Sequence, residues 1–270
     1  MQLSPSIFKA YDIRGIIDET LDPSIAKLIG QAFGTEMREV GETEIVIGRD
    51  GRLSGPSLIE ALTEGLLSTG INVIDLGMVA TPMVYFGANQ VIDGKKPKSG
   101  IMITGSHNPP NYNGFKMVLG GAAIYGDQIQ ALRKRIEVKQ FAVGESNKNG
   151  SRSTFDIFPM YLERIIGDVK LASPMKIVVD CGNGVGGAFA GKLFRALGCE
   201  VQELFCEVDG HFPNHHPDPA RCLCVKVKSL SVTRSSRALM ARGLLLNSPT
   251  TRAISRQRRR RLQRRVRTLV

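Results

Sequence analysis

Residues 43–77 read TEIVIGRDGRLSGPSLIEALTEGLLSTGINVIDLG, and this stretch already argues for a layered α/β fold. The compact apolar run Ile45–Ile47 stops at Gly48-Arg49-Asp50, where a strand gives way to a loop. GPSLIEALTEGLLSTG then places apolar residues three and four apart, with Pro56 close to the start and Gly70 just past the end, the arrangement of a helix. INVIDLG is a second β-branched run. A strand, a helix and a strand in succession form a unit whose strands lie parallel. The pattern continues on both sides. SIAKLIGQAFGTEMREV (24–40) has helical spacing and ends before Gly41, another helix is predicted to open near Thr81-Pro82, and SGIMITG (99–105) is a third strand. Such alternation predicts a parallel or mixed sheet covered by helices on both faces.

The composition then shifts. GESNKNGSRST (144–154) is polar and rich in Gly and Ser and reads as a linker. After a helix around 156–167, a second β-α-β pattern runs through MKIVVDCGNG, VGGAFAGKLFRALG and CEVQELFCEVDG, and the alternation ends after HHPDPA. The expected organisation is a first α/β domain over 1–143, a linker over 144–156, a partial second α/β domain over 157–220 and a tail over 221–270. That tail holds 13 Arg and 2 Lys with no Asp or Glu, so the preceding 220 residues carry 21 basic against 25 acidic residues, a net charge of −4. The whole-chain net charge of +11 therefore averages an acidic body and a basic tail. The tail's composition does not support a packed core and predicts disorder, and its 15 cations predict at most non-specific attraction to nucleic acid. Its abrupt change of character suggests translation in another reading frame or a misjoined gene.

No apolar stretch approaches the ~20 residues of a membrane span, and no basic-then-apolar leader opens the chain, so no membrane partner is expected. Five scattered cysteines suggest free thiols in a reducing cytoplasm. Cys222-x-Cys224 has the wrong spacing for a zinc knuckle.

Chemistry gathers at three places. ITGSHNPPNYNGFK (103–116) sets Ser106, His107 and Asn108 directly after a strand and follows them with Pro109 and Pro110. Ligands collect at the carboxyl ends of parallel strands. A hydroxyl there can act as a nucleophile or phosphate carrier, with His107 moving its proton and Asn108 orienting a neighbour. Ser, Asn and Pro also form ordinary turns, and local composition does not separate the two readings. KAYDIRG (9–15) and GRDGR (48–52) place Arg14, Arg49 and Arg52 beside glycines, suited to an anion such as phosphate, although Asp12 and Asp50 are equally placed to pair with them. Gly182-x-Gly184-x-x-Gly187 meets the formal dinucleotide fingerprint, but tight strand-to-helix packing is the stronger reading.

Taken together, FKAYDIRG (8–15), GRDGRLSG (48–55), ITGSHNPPNYNGFK (103–116) and VVDCGNGVGG (178–187) resemble the signatures of the α-D-phosphohexomutases (phosphomannomutase/phosphoglucomutase), in that family's order, over about residues 5–220. The resemblance implies a three-layer α/β/α first domain, an incomplete second α/β domain, and phosphate transfer between the 1- and 6-positions of a hexose phosphate. It makes Ser106 the phosphoserine, whose phosphoryl oxygen is also the metal ligand. His107 is then a general acid/base, Lys116 and Arg14 are cations beside the transferring group, and Tyr11, Arg14, Asn108 and Lys116 line the substrate cleft. It implies Mg²⁺ as cofactor and a hexose 1,6-bisphosphate as activator. The family's aspartate-rich metal loop, sugar-recognition loop and phosphate-gripping domain have no counterpart in residues 1–270, so the expectation is that this polypeptide does not turn over. A non-catalytic remnant and non-specific nucleic-acid binding through the tail are the alternatives.

Overall fold

The computed structural model describes residues 3–144 and 149–218; the basic tail from residue 221 onward, with Cys222 and Cys224, lies outside the described residues. The first lobe runs β1 (Ile13–Ile16), α1 (Pro23–Glu39), β2 (Glu44–Arg49), α2 (Gly55–Ser68), β3 (Asn72–Met78), α3 (Thr81–Gly87), β4 (Ser99–Ile103), β5 (Tyr112–Leu119), β6 (Ala122–Ala123), α4 (Asp127–Glu137) and β7 (Arg152–Thr154). Local chemistry sets the helix ends. Pro23 occupies the first turn of α1, and the Asp22 carboxylate accepts the Ile25 amide at 2.9 Å. Pro56 opens α2, and Gly70 follows it in the left-handed region at φ 86°.

The strands form one sheet in the order β1-β5-β4-β2-β3-β7, with β6 pairing on β5. β4, β2, β3 and β7 are parallel, while β5 runs antiparallel between β4 and β1, so the sheet is mixed. Alternate residues serve opposite faces. Ile45, Ile47, Ile101, Ile103 and Phe115 join the core under α1, α2 and α4, whereas Val46, Ile74 and Met102 join a second core with Met83 and Val84 of α3. The fold is therefore three-layered. Helices α1 and α2 cross at close range: a Cβ on Gly30 would lie 2.3 Å from the Leu62 carbonyl oxygen, and one on Gly65 would lie 2.2 Å from that of Lys27.

Composition marks 144–154 as linker, yet residues 152–154 extend the first sheet beside β3. Side chains explain this outcome. Arg152 reaches Asp75 and Glu60, each at 2.8 Å, and Ser151 bonds to Asn72. Gly150 passes so close to Ile71 that a Cβ would sit 1.9 Å from its carbonyl oxygen. Polar residues can hold an edge strand through their side chains where apolar patterning is missing.

The second lobe comprises α5 (Phe158–Asp168), β8 (Lys176–Asp180), α6 (Ala190–Ala196) and β9 (Glu200–Leu204), with β8 and β9 parallel. The glycines of the dinucleotide-like motif are taken up by packing. A Cβ on Gly187 would fall 2.0 Å from the Cys206 carbonyl oxygen, and one on Gly182 would meet the His215 ring at 2.6 Å. His215 places Nδ1 3.1 Å from the His216 carbonyl oxygen and Nε2 2.9 Å from the Asp180 carboxylate. Both acceptors are served only when both ring nitrogens carry protons. The His216 carbonyl first, and Asp180 after it, therefore raise the imidazole's pKa above its ordinary value.

Gly65→Ala should push α1 and α2 apart and lower the unfolding free energy by about 1–3 kcal/mol, read from a urea titration. The His215 contribution should be complete below the ordinary histidine value of about 6.5 and fade as pH rises through the raised folded-state value. Ring-proton NMR should give His215 a midpoint that falls in Asp180→Asn; an unchanged midpoint would show that the carboxylate has no part in it.

Candidate functional site

Two parallel strands deliver the central loop. β2 ends at Arg49 and β4 at Ile103, so Asp50 and Thr104 leave the sheet side by side, and the Asp50 amide donates to the Ile103 carbonyl at 2.9 Å. The Asp50 carboxylate organises the turn, with one oxygen accepting the Arg52 amide (3.0 Å) and the other the Thr104 hydroxyl (2.8 Å) and the Gly105 amide (3.0 Å). The Thr104 hydroxyl oxygen in turn accepts the Ser106 amide at 2.9 Å. Ser106 emerges exposed, at φ 51°. A non-glycine residue in the left-handed region costs about 1 kcal/mol or more, so the surroundings must hold it there.

Arg52 supplies that hold. It is 1% exposed, and its guanidinium donates to the carbonyls of Pro109 (2.5 Å), Tyr112 (3.0 Å), Ser106 (3.1 Å) and Asn108 (2.7 Å). Its Nε lies 3.4 Å from Asp50. Burial pulls the guanidinium pKa down, and Asp50 partly restores it. Gly105 must be glycine, since a Cβ there would fall 2.0 Å from Arg52 Nε. Asn108 closes the turn, its side-chain and backbone N–H groups both donating to the Gly105 carbonyl at 3.0 Å.

The antiparallel strands bring the cations. Ile13 pairs with Phe115 and Arg14 with Gly114, so the same register carried back one residue sets Asp12 opposite Lys116. Asp12 is bridged by Arg14 at 2.6 Å and by Lys116 at 3.4 Å. Arg14 also donates to the Gly105 carbonyl at 2.7 Å and reaches the Ser106 hydroxyl at 3.4 Å. Ser106, Arg14 and Lys116, 92 and 10 positions from the serine, thus share one cluster with Asp12 at its centre. Of the arginines weighed for an anion, Arg14 both pairs with its aspartate and faces the serine. Arg52 pairs with Asp50 and is closed to an external anion, and Arg49 turns back to the Asp50 carbonyl at 3.2 Å.

His107 is exposed beside Ser106, and Tyr11 is 65% exposed beside Asp12. Asp12, Asp50, Thr104 and Phe212 escaped the sequence reading as site residues, although YDIRG and GRDGR carry both aspartates within two residues of the arginines they serve. Tyr85 of α3 escaped it as well; burial, with Asp12 nearby, raises its phenol pKa. Among the described residues no group of three or more His, Cys, Asp or Glu is placed to hold a metal ion. The Asp12 carboxylate is already shared by two cations, so these residues offer Ser106 as a single oxygen donor and do not by themselves fit Mg²⁺.

The family description "Phosphoglucomutase/phosphomannomutase, alpha/beta/alpha domain I" matches residues 5–143, and that of domain II of the same family matches residues 159–239. A phosphomannomutase/phosphoglucomutase of Pseudomonas aeruginosa is 53% identical over 219 residues, covering 81% of this chain and 46% of that protein. A phosphoglucomutase of Neisseria meningitidis is 55% identical over the same shares. The crystal structure of a phosphoglucomutase/phosphomannomutase family protein from Burkholderia thailandensis is 56% identical with a TM-score of 0.78, covering 81% of this chain and 48% of that one. The chain spans about half the length of the relatives it matches.

Removing Asp50 strands a buried guanidinium. Asp50→Ala should lower the unfolding free energy by about 3–5 kcal/mol, a loss read as a fall in the denaturation midpoint. A change below about 1 kcal/mol would show that the pair does not hold the lobe.

Proposed function

The chain belongs to the phosphoglucomutase/phosphomannomutase family, and on that premise we propose that Ser106 carries the phosphoryl group exchanged between the 1- and 6-positions of a hexose phosphate. The observation that carries this reading is the exposed Ser106 hydroxyl, held in a strained conformation 3.4 Å from Arg14 and beside the Asp12–Lys116 pair. Ordinary turns do not surround a serine with two partly buried cations and a dedicated carboxylate.

In the forward half-reaction the phosphoserine P–Oγ bond breaks as a sugar hydroxyl oxygen bonds to phosphorus. The hydroxyl proton leaves through a base and ends on the serine oxygen. The product is a hexose 1,6-bisphosphate, which turns over in the site and returns its other phosphoryl group by the reverse steps. Phosphoryl transfer depends mainly on positioning and charge neutralisation. Arg14 and Lys116 supply positive charge on the Ser106 side, and His107, next in the chain and open to solvent, is the proton carrier. Asn108 shapes the loop through the Gly105 carbonyl, and Tyr11 presents its ring at the open rim for the sugar. In the family Mg²⁺ supplies further neutralisation; no step here is routed through it.

No helix among the described residues is long and apolar enough to cross a membrane. Among the described residues Cys181, Cys199 and Cys206 are free thiols, and a cytoplasmic setting is part of the proposal. The proposed tail affinity for nucleic acid lies outside the described residues.

Incubation with glucose or mannose 1,6-bisphosphate should add one phosphate to the intact protein, located on Ser106 by peptide mass spectrometry and missing in Ser106→Ala. Phosphate found elsewhere, or equal uptake by the variant, would overturn the assignment.

A further inference from the structure

Arg52 is the largest fully buried side chain described, yet it touches neither the surface nor the proposed substrate side of Ser106. Three of the four carbonyls it collects, those of Ser106, Asn108 and Pro109, come from the loop between β4 and β5, and the fourth is that of Tyr112, the first residue of β5. Each of these carbonyls therefore has the negative end of its dipole on the buried guanidinium. Only a planar fork with several fixed donors can satisfy so many acceptors at once; an ammonium cannot reproduce that geometry.

The cover over this arrangement comes from the second lobe. The Phe212 ring centroid lies 5.2 Å from the guanidinium carbon of Arg52. Phe212 stands in the left-handed region at φ 53°, its amide donating to the Asp209 carbonyl at 3.0 Å. The turn is seated tightly: a Cβ on Gly51 would strike Val208 at 2.2 Å, and one on Gly210 would lie 2.8 Å from the Leu53 amide nitrogen. An aromatic face over a guanidinium attracts it more strongly once water is excluded.

We propose that Arg52 is a positioning residue for the Ser106 hydroxyl, and that Phe212 is the cover that keeps it seated, so the 208–212 turn of the second lobe sets the geometry of the first lobe's phosphate-carrying loop. The inference rests on Ser106 being that carrier. It assigns the second lobe a part in phosphoryl exchange although none of its described side chains contacts the serine.

The test uses the full chain and its Phe212→Ala, Phe212→Tyr and Arg52→Lys variants, with two readouts. The first is amide hydrogen exchange followed by mass spectrometry. Phe212→Ala should raise exchange at least about 10-fold in peptides spanning 104–112, leave β2 and β3 protected, and be restored by Phe212→Tyr, which keeps the aromatic face. The second is the rate of phosphate uptake by Ser106 from glucose 1,6-bisphosphate. It should fall about 10- to 100-fold at saturating bisphosphate in Phe212→Ala and Arg52→Lys, as expected for a misplaced reacting group, with the half-saturating concentration little changed. Wild-type exchange in 104–112 together with wild-type uptake in Phe212→Ala would overturn the proposal, as would a loss of protection spread evenly over the lobe. If the wild-type chain takes up no phosphate, the carrier reading fails, and the exchange data alone decide whether Phe212 and Arg52 hold the loop.

Discussion

Burying a guanidinium is unfavourable unless its charge is balanced and its donors find acceptors; for Arg52 the charge is balanced by Asp50 and both terminal nitrogens find carbonyls, while the buried Nε, 3.4 Å from Asp50, lacks a hydrogen-bond partner. Asp50 balances the charge and, through its two oxygens, also fixes Arg52, Thr104 and Gly105. The acceptors are three carbonyls of the serine loop and that of Tyr112 at the start of β5. Because both partners are buried, loss of either leaves an uncompensated charge. The strain at Ser106 is tolerable for the same reason: several hydrogen bonds around it outweigh one unfavourable backbone conformation.

Topology explains why these groups meet. Parallel strands β2 and β4 end together, so the residues following each become neighbours at one rim of the sheet. Antiparallel β5 returns from the serine loop along β4 and pairs with β1, which returns Lys116 and Arg14 to the same rim. A purely parallel sheet would not deliver a cation ten residues downstream of Ser106 to that serine's own neighbourhood. The mixed character of the sheet is thus part of the site's construction.

Periodicity made the frame legible: the Ile45–Ile47 run, the helix between Pro56 and Gly70 and the strand SGIMITG all stand where their spacing put them. The serine loop was legible because residue types rare together sat after a strand. What composition could not show were contacts made by single polar side chains. Residues 152–154 look like linker, and Arg152 with Asp75 and Glu60, together with Ser151 on Asn72, turns them into an edge strand. Arg52 looks, in GRDGR, like a phosphate ligand, and its burial depends on a glycine 53 residues away and a phenylalanine 160 residues away. Asp12 reads as a simple partner for Arg14, and its second partner, Lys116, follows from strand register, which a lone sequence does not give.

The role of Asp12 is best understood through charge. Arg14 and Lys116 with one shared carboxylate leave the cluster at +1 when Ser106 is a free hydroxyl. A phosphoserine brings between −1.5 and −2, taking the same cluster to about −0.5 to −1. The two states lie on either side of neutrality by comparable amounts. Without Asp12 the cations would stand at +2 and, at about 4 kcal/mol per unit pair at 4 Å in a partly buried setting, would bind a dianion far more firmly than a hydroxyl. Firm binding suits a receptor, but the carrier role proposed for Ser106 requires that a phosphoryl group be accepted and released with similar ease. A carboxylate placed between two cations moves the balance toward such reversibility, and the Arg52 guanidinium neutralises the negative ends of the carbonyls it holds.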